Sequence, residues 1–272
     1  MRLLDVLKLP KQPTSLGIIK DYLTQPLSVH DAQAAFTYYL DIASTLDLYD
    51  LIFTEGEVFL KDLEQQPESE YEEKVLKYVI QAAIEIQAFD KAKEYIERRK
   101  QILPILKQYL GVLDDIKYKK ALHLPYLEDL QKVLKDIIPD QVKIYCLEEM
   151  FHIYKDDHQY EMALNSLYSL YDYDLKSTYL HDEIELLLLL KKYEDVLKIA
   201  LNELRKNPKD VFILLALIEV YIERGDLQKA SSLEAENEEE FDKASDDIKS
   251  KAYPLFIKLY QKLDNKLSID LY

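Results

Sequence analysis

The chain has no tryptophan, one cysteine and only four glycines in 272 residues. A lone thiol, Cys146, excludes an internal disulfide and any zinc site built on paired cysteines, and it fits a reducing compartment. Gly17, Gly56, Gly111 and Gly225 are too few and too scattered for a phosphate-cradling loop or for β-hairpins with primed turns. Long apolar runs are missing too. The leucine run Leu186 to Leu190 is far short of the roughly 20 residues a spanning helix needs. Met1-Arg2-Leu3-Leu4 starts like a leader, but Asp5 and Lys8 interrupt it before any small-residue cleavage site. The expectation is a soluble, cytoplasmic chain.

Positive charge is also in short supply. Lys and Arg total 35 against 51 Asp and Glu, a formal net charge of −16. Such a chain repels phosphate backbones and anionic membrane surfaces, so neither nucleic acid nor a membrane is an expected partner. The cations Arg98, Arg99, Lys100, Lys117, Lys119 and Lys120 form a local basic zone. The zone reads first as helix C-termini, where cations offset the macrodipole.

What is present favours helix. Leu, Lys, Glu, Ala and Ile dominate. Apolar residues recur at helical spacing in Val75, Leu76, Val79, Ile80, Ala83 and Ile84, and again in Leu147, Met150, Phe151 and Tyr154. Thr14 to Leu23 reads as a helix, and Ile248 to Leu263 as a final one with Pro254 near its first turns. Ser177 and Asp210 are candidate N-caps.

An internal repeat organises these helices. An aromatic or Leu, two variable residues and a small apolar residue follow a short polar break at Phe89–Ala92, Tyr160–Ala163, Tyr193–Val196 and Leu227–Ala230. These end at positions 92, 163, 196 and 230, a spacing of about 34 with one double-length gap. Tyr126–Asp129 fills the gap as a degenerate copy, and Leu48–Leu51 gives an earlier one.

A 34-residue helix-turn-helix period resembles the tetratricopeptide repeat (TPR) family, best over residues 144–235. Leu214, Leu217, Ile218 and Tyr221 sit where that family's first helix packs inward, and Gly225-Asp226 makes the turn. Pro104 and Pro208 fall where the family ends its second helix. Positions that the family keeps small hold Ile80, Phe151, Ile184 and Ile218 here, which implies wider helix spacing. The resemblance implies an all-α, right-handed α-α superhelix, a TPR-like solenoid of five or six hairpins with helical caps. It would form a single domain over 1–272: an N-terminal cap or arm in 1–29, repeats in 30–235, and an acidic turn and capping helix in 236–272.

The family lines a concave groove with fixed positions of its first helices. Carried onto this chain, they give Tyr145, Glu148, His152, His181, Glu185, Phe212, Leu215 and Glu219 as the partner-binding set. The N-terminal counterparts include Lys74 and Lys77, but neighbouring repeats supply no matching Asn or Arg, so the peptide-carboxylate clamp of some members is not expected. The apolar and acidic set suits a protein or peptide with apolar anchors and basic residues.

No stretch declares a reaction. His181 and Glu185 share a helical face but lack a third metal ligand. His152 and His158 flank Asp156-Asp157, which is ordinary turn chemistry, and Cys146 and His152 share no face. Asp114-Asp115 and Asp246-Asp247 match no acid–base or calcium pattern. The expectation is a non-enzyme with no catalytic residue, metal or cofactor: a binding scaffold or adaptor. The alternatives are a peptide-sensing regulator without its own DNA-binding domain, or an enzyme with an unrecognised site.

Overall fold

A computed structural model describes residues 1–63 and 71–263. Among these residues every regular element is helical, and the helices pack in consecutive pairs. No helix among them is long and apolar enough to cross a membrane. The chain divides into two compact units, Met1–Pro139 and Asp140–Tyr272.

In the first unit α1 (Leu3–Val6) and α2 (Pro13–Leu23) precede three hairpins: α3 (Val29–Thr45) with α4 (Tyr49–Leu63), α5 (Glu72–Glu85) with α6 (Phe89–Ile102), and α7 (Gln108–Ala121) with α8 (Leu127–Val133). Val6, Leu16, Ile19 and Tyr22 of the leading helices bury themselves in the same core as Tyr39, Leu40 and Ile42 of α3. The second unit holds α9 (Asp140–Asp156) with α10 (Tyr160–Leu170), α11 (Leu180–Leu189) with α12 (Tyr193–Leu204), and α13 (Val211–Arg224) with α14 (Leu227–Glu236). A short α15 (Glu238–Asp242) and a long α16 (Asp246–Lys262) follow. The final segment of the expected capping region, 264–272, lies outside the described residues.

Among the described residues, the six hairpin bends share one backbone geometry. One residue at each bend has positive φ: Asp47, Gln87, His123, His158, Lys191 and Gly225. The N–H of the next residue donates to the carbonyl five residues back, from Leu48 to Ala43 at 3.0 Å and at 2.8 Å in the other five. This is the left-handed helix stop in which the tail of one helix is sealed before the next begins. Only Gly225 is a glycine; at the other bends the sequence shows a polar break but does not mark the positive-φ residue. The other five residues carry a Cβ into a region that costs an L-residue roughly 1–2 kcal/mol. Lys191→Gly is therefore expected to stabilise the protein by about 0.5–1 kcal/mol, and Gly225→Ala to destabilise it by about as much. Urea midpoints moving the other way for either variant would contradict this account of the turns.

The buried residue that opens each second helix keeps a regular distance from the bend. Ala92, Ala163, Val196 and Ala230 each follow the positive-φ residue at the same distance, and each is fully buried. The two weaker copies shift by one residue. In the first hairpin the equivalent buried residue is Ile52 rather than Leu51, and in the third it is Leu130 rather than Asp129. The third bend is longer because Pro125, without an N–H, delays the start of α8.

Three further expectations meet the structure. Asp210 caps α13, its carboxylate accepting the Ile213 N–H at 3.2 Å. Ser177 does not cap α11: the Thr178 and Tyr179 N–H groups both donate to the Leu175 carbonyl, and this turn postpones the helix to Leu180. Pro254 lies well inside α16 rather than in its first turns, because Ser245 caps the helix through the Ile248 N–H and starts it at Asp246.

Candidate functional site

α13 is apolar on almost every side, with Ile213, Leu214, Leu217, Ile218, Val220 and Ile222 buried. A helix with so wide an apolar surface must be covered by several neighbours. In the second unit α11, α12, α14 and α16 all pack on it. α16 contributes Ala252, Phe256 and Leu259, which join Leu214, Leu215 and Ile218 in one cluster, with Phe241 of α15 set edge-on to Phe256 at 5.1 Å.

The coverage is incomplete between α11, α13 and α16. There an open pocket of about 450 Å³ remains. Leu188 and Leu189 of α11, Phe212 and Leu215 of α13 and Leu255 of α16 make it mainly apolar, while Glu185, Glu219 and Lys251 supply its charges. Pro254 also faces it.

The polar groups at the rim differ in how they are partnered. Glu185 pairs with Lys155 of α9 at 2.7 Å, and the same ammonium reaches Asp182 at 3.0 Å. Burial pushes the Glu219 carboxyl above the ordinary carboxylate range, and the charge of Glu223 adds to that effect. Glu223 itself is held low by Lys258, 2.5 Å away on α16. His181 stacks on Phe212 with ring centroids 4.3 Å apart, and its Nε2 lies 3.3 Å from the Asp210 carboxylate. Asp210 thus sets the start of α13 and fixes the imidazole that braces Phe212.

The eight residues expected to line a groove therefore separate. Glu185, Phe212, Leu215 and Glu219 share the pocket, with His181 behind Phe212. Leu215 is only 6% exposed and belongs to the core shared with α16. Tyr145, Glu148 and His152 lie apart on α9. The Glu148 carboxylate accepts the Tyr179 hydroxyl at 2.5 Å, and Tyr179 packs on the edge of Phe151. His152 is exposed beside Phe151, and burial pushes the Tyr145 phenol up to about 12. The α16 residues Lys251, Pro254 and Leu255 were not anticipated. The sequence reads the last helix as a cap over the final hairpin, where it packs, but does not say which of its residues reach the pocket.

Burial pushes the Cys146 thiol up to about 11, so it stays protonated at neutral pH, unlike a nucleophile. No group of three or more His, Cys, Asp or Glu side chains that could hold a metal occurs among the described residues. Much of the basic zone is consumed internally. Arg98 binds Glu72 at 2.7 Å, Lys100 binds Asp115 at 2.7 Å, and Lys119 binds Asp129 at 2.5 Å. Arg99 is buried between Glu73 and Asp114.

No protein-family model matches this chain, and no curated protein matches it.

Proposed function

We propose that the chain is a non-catalytic, cytoplasmic protein- or peptide-binding scaffold whose hairpins stack as a tetratricopeptide-like, right-handed α-α superhelix, with the pocket between α11, α13 and α16 as its docking surface. The observation that carries the reading is that pocket: about 450 Å³, open, apolar within and acidic at the rim. Six bends of one geometry support the repeat reading, since a stack of equivalent hairpins places equivalent faces side by side.

The chemistry of the pocket describes its occupant. Leu188, Leu189 and Phe212 offer contact to an apolar side chain, which loses its hydration on entry. A Lys or Arg a turn away on the ligand would face Glu219, whose ionised form lacks a cation close enough to offset its burial. The expected ligand is a short peptide segment with one or two apolar anchors and a basic residue. The net charge of −16 would speed its approach at low salt.

Selection of a displayed random-peptide library on the purified protein tests this. Enriched peptides should combine an apolar anchor with Lys or Arg, and Leu189→Lys should weaken their binding by about tenfold, or ~1.4 kcal/mol. Leu189 is exposed, so that variant should keep its fold. Absence of enrichment, or equal binding to wild type and Leu189→Lys, would remove the pocket from consideration as the docking surface.

A further inference from the structure

The first unit contains a second pocket, of about 330 Å³, whose charge is opposite to that of the chain. Four cations line it: Lys74 and Lys77 on α5, Arg99 on α6 and Lys117 on α7. Only two carboxylates do so, Glu73 and Asp114. Both are already committed. Arg99 donates through Nε to Glu73 at 3.1 Å and through Nη1 to Asp114 at 2.6 Å, and it is 3% exposed. The triad forms the floor of the pocket, and the charge of Arg99 is spent within it.

The three lysines are not neutralised in this way. Among the described residues, none of their ammonium groups lies within ion-pair distance of a carboxylate. Lys74 sits over the Tyr71 ring at 4.7 Å and Lys77 over the Tyr78 ring at 5.4 Å. Lys117 is the most revealing. Its pKa is lowered, first by desolvation, then by the charges of Lys77 and Arg99, and Asp114 offsets this only in part. In a protein with 51 acidic residues, a pocket with an excess of positive charge is not a consequence of composition. Lys74 and Lys77 are open to solvent, so a ligand can enter the pocket beside them.

We infer that this pocket binds a phosphate group, carried by a small phosphomonoester, between Lys74, Lys77 and Lys117. The choice of phosphate over carboxylate follows from the donors left available. The planar guanidinium fork, which grips carboxylates and phosphates alike, is occupied by Glu73 and Asp114. What remains is a set of ammonium point charges, which a compact dianion with several acceptor oxygens satisfies better. Leu110 and Leu113 of α7 border the same cavity and give the organic part of the ester an apolar wall. The volume lies at the lower end of small-molecule sites, consistent with a ligand of metabolite size.

Isothermal titration of the full chain with inorganic phosphate and with phenyl phosphate, at low ionic strength and pH 7.5, tests the inference. Both probes should saturate one and the same site, phenyl phosphate more tightly. Lys77→Met and Lys117→Met should each weaken phenyl phosphate by about tenfold, ~1.4 kcal/mol, with unchanged circular dichroism and urea midpoint. Lys229→Met, an exposed position on α14, should bind as wild type. Succinate, a dianion without a phosphate, should displace phenyl phosphate only at concentrations at least about tenfold higher. The inference is overturned if neither probe saturates, if the Lys77→Met/Lys117→Met double variant binds as wild type, or if succinate competes equally. The peptide reading of the other pocket does not depend on any of these results.

Discussion

Arg99→Met is expected to lower the unfolding free energy by about 3–5 kcal/mol, because it strands the buried Asp114 carboxylate. The Arg99 and Asp114 side chains are 4% and 6% exposed, so water cannot replace the lost partner at Asp114. Glu73, at 26%, can still turn towards solvent. Removing both ends of the buried pair should cost much less, and Arg99→Met/Asp114→Leu is expected to recover most of the loss. The pH dependence identifies the cause. Burial already raises the Asp114 carboxyl above its ordinary value, against the pull of Arg99. Without Arg99 it rises further. A carboxyl raised in the folded state binds its proton more tightly there than in the unfolded chain, so stability increases as pH falls through the interval between the two values. The deficit of Arg99→Met should therefore shrink on acidification through that interval. Urea titrations at neutral and mildly acidic pH would show it, and a deficit independent of pH would mean that lost packing, not a stranded charge, is responsible.

The second large effect is expected at the other end of the chain. Phe256 is 1% exposed, sits among Leu214, Ile218 and Leu259, and meets Phe241 edge-on. Phe256→Ala should cost about 3–5 kcal/mol through lost transfer energy and the cavity left behind. It should also weaken peptide binding, since α16 carries Lys251, Pro254 and Leu255 into the pocket. Phe256→Leu keeps most of the volume and should lose much less of both. If Phe256→Ala lowered stability but left peptide affinity intact, α16 would be a cap and not a wall of the docking surface.

Much of this fold could be read from the chain, for a physical reason. The buried residue opening each second helix recurs because each hairpin has the same bend, and four of the six copies, at Ala92, Ala163, Val196 and Ala230, were in register by inspection. The other two slipped by one residue. A polar break shows that a bend is near but not its register, and five of the six positive-φ residues at these bends are Asp, Gln, His or Lys rather than Gly. The candidate site was legible only in part. Phe212, Glu219 and Glu185 could be placed by repeat position, since helical geometry alone decides which face they share. Leu215 took a core role because α16 covers it, and Glu148 was claimed by Tyr179. Arg99 shows the limit most clearly. Its position suggested a solvated cation at the end of a helix, but its partner Asp114 comes from α7, and no local pattern announces a pairing between helices.

One consequence of α16 concerns the order in which the chain is made. The helices pack mainly on sequence neighbours, so each hairpin can form soon after it leaves the ribosome. The pocket cannot. Two of its walls, α11 and α13, exist well before the third, and until α16 arrives the apolar residues Leu214, Leu215 and Ile218 lack the side chains that cover them. A nascent or truncated chain that stops short of Phe256 would present folded hairpins, an unfinished site and a sticky face, so chaperone engagement should concentrate in the interval between completion of α13 and emergence of α16.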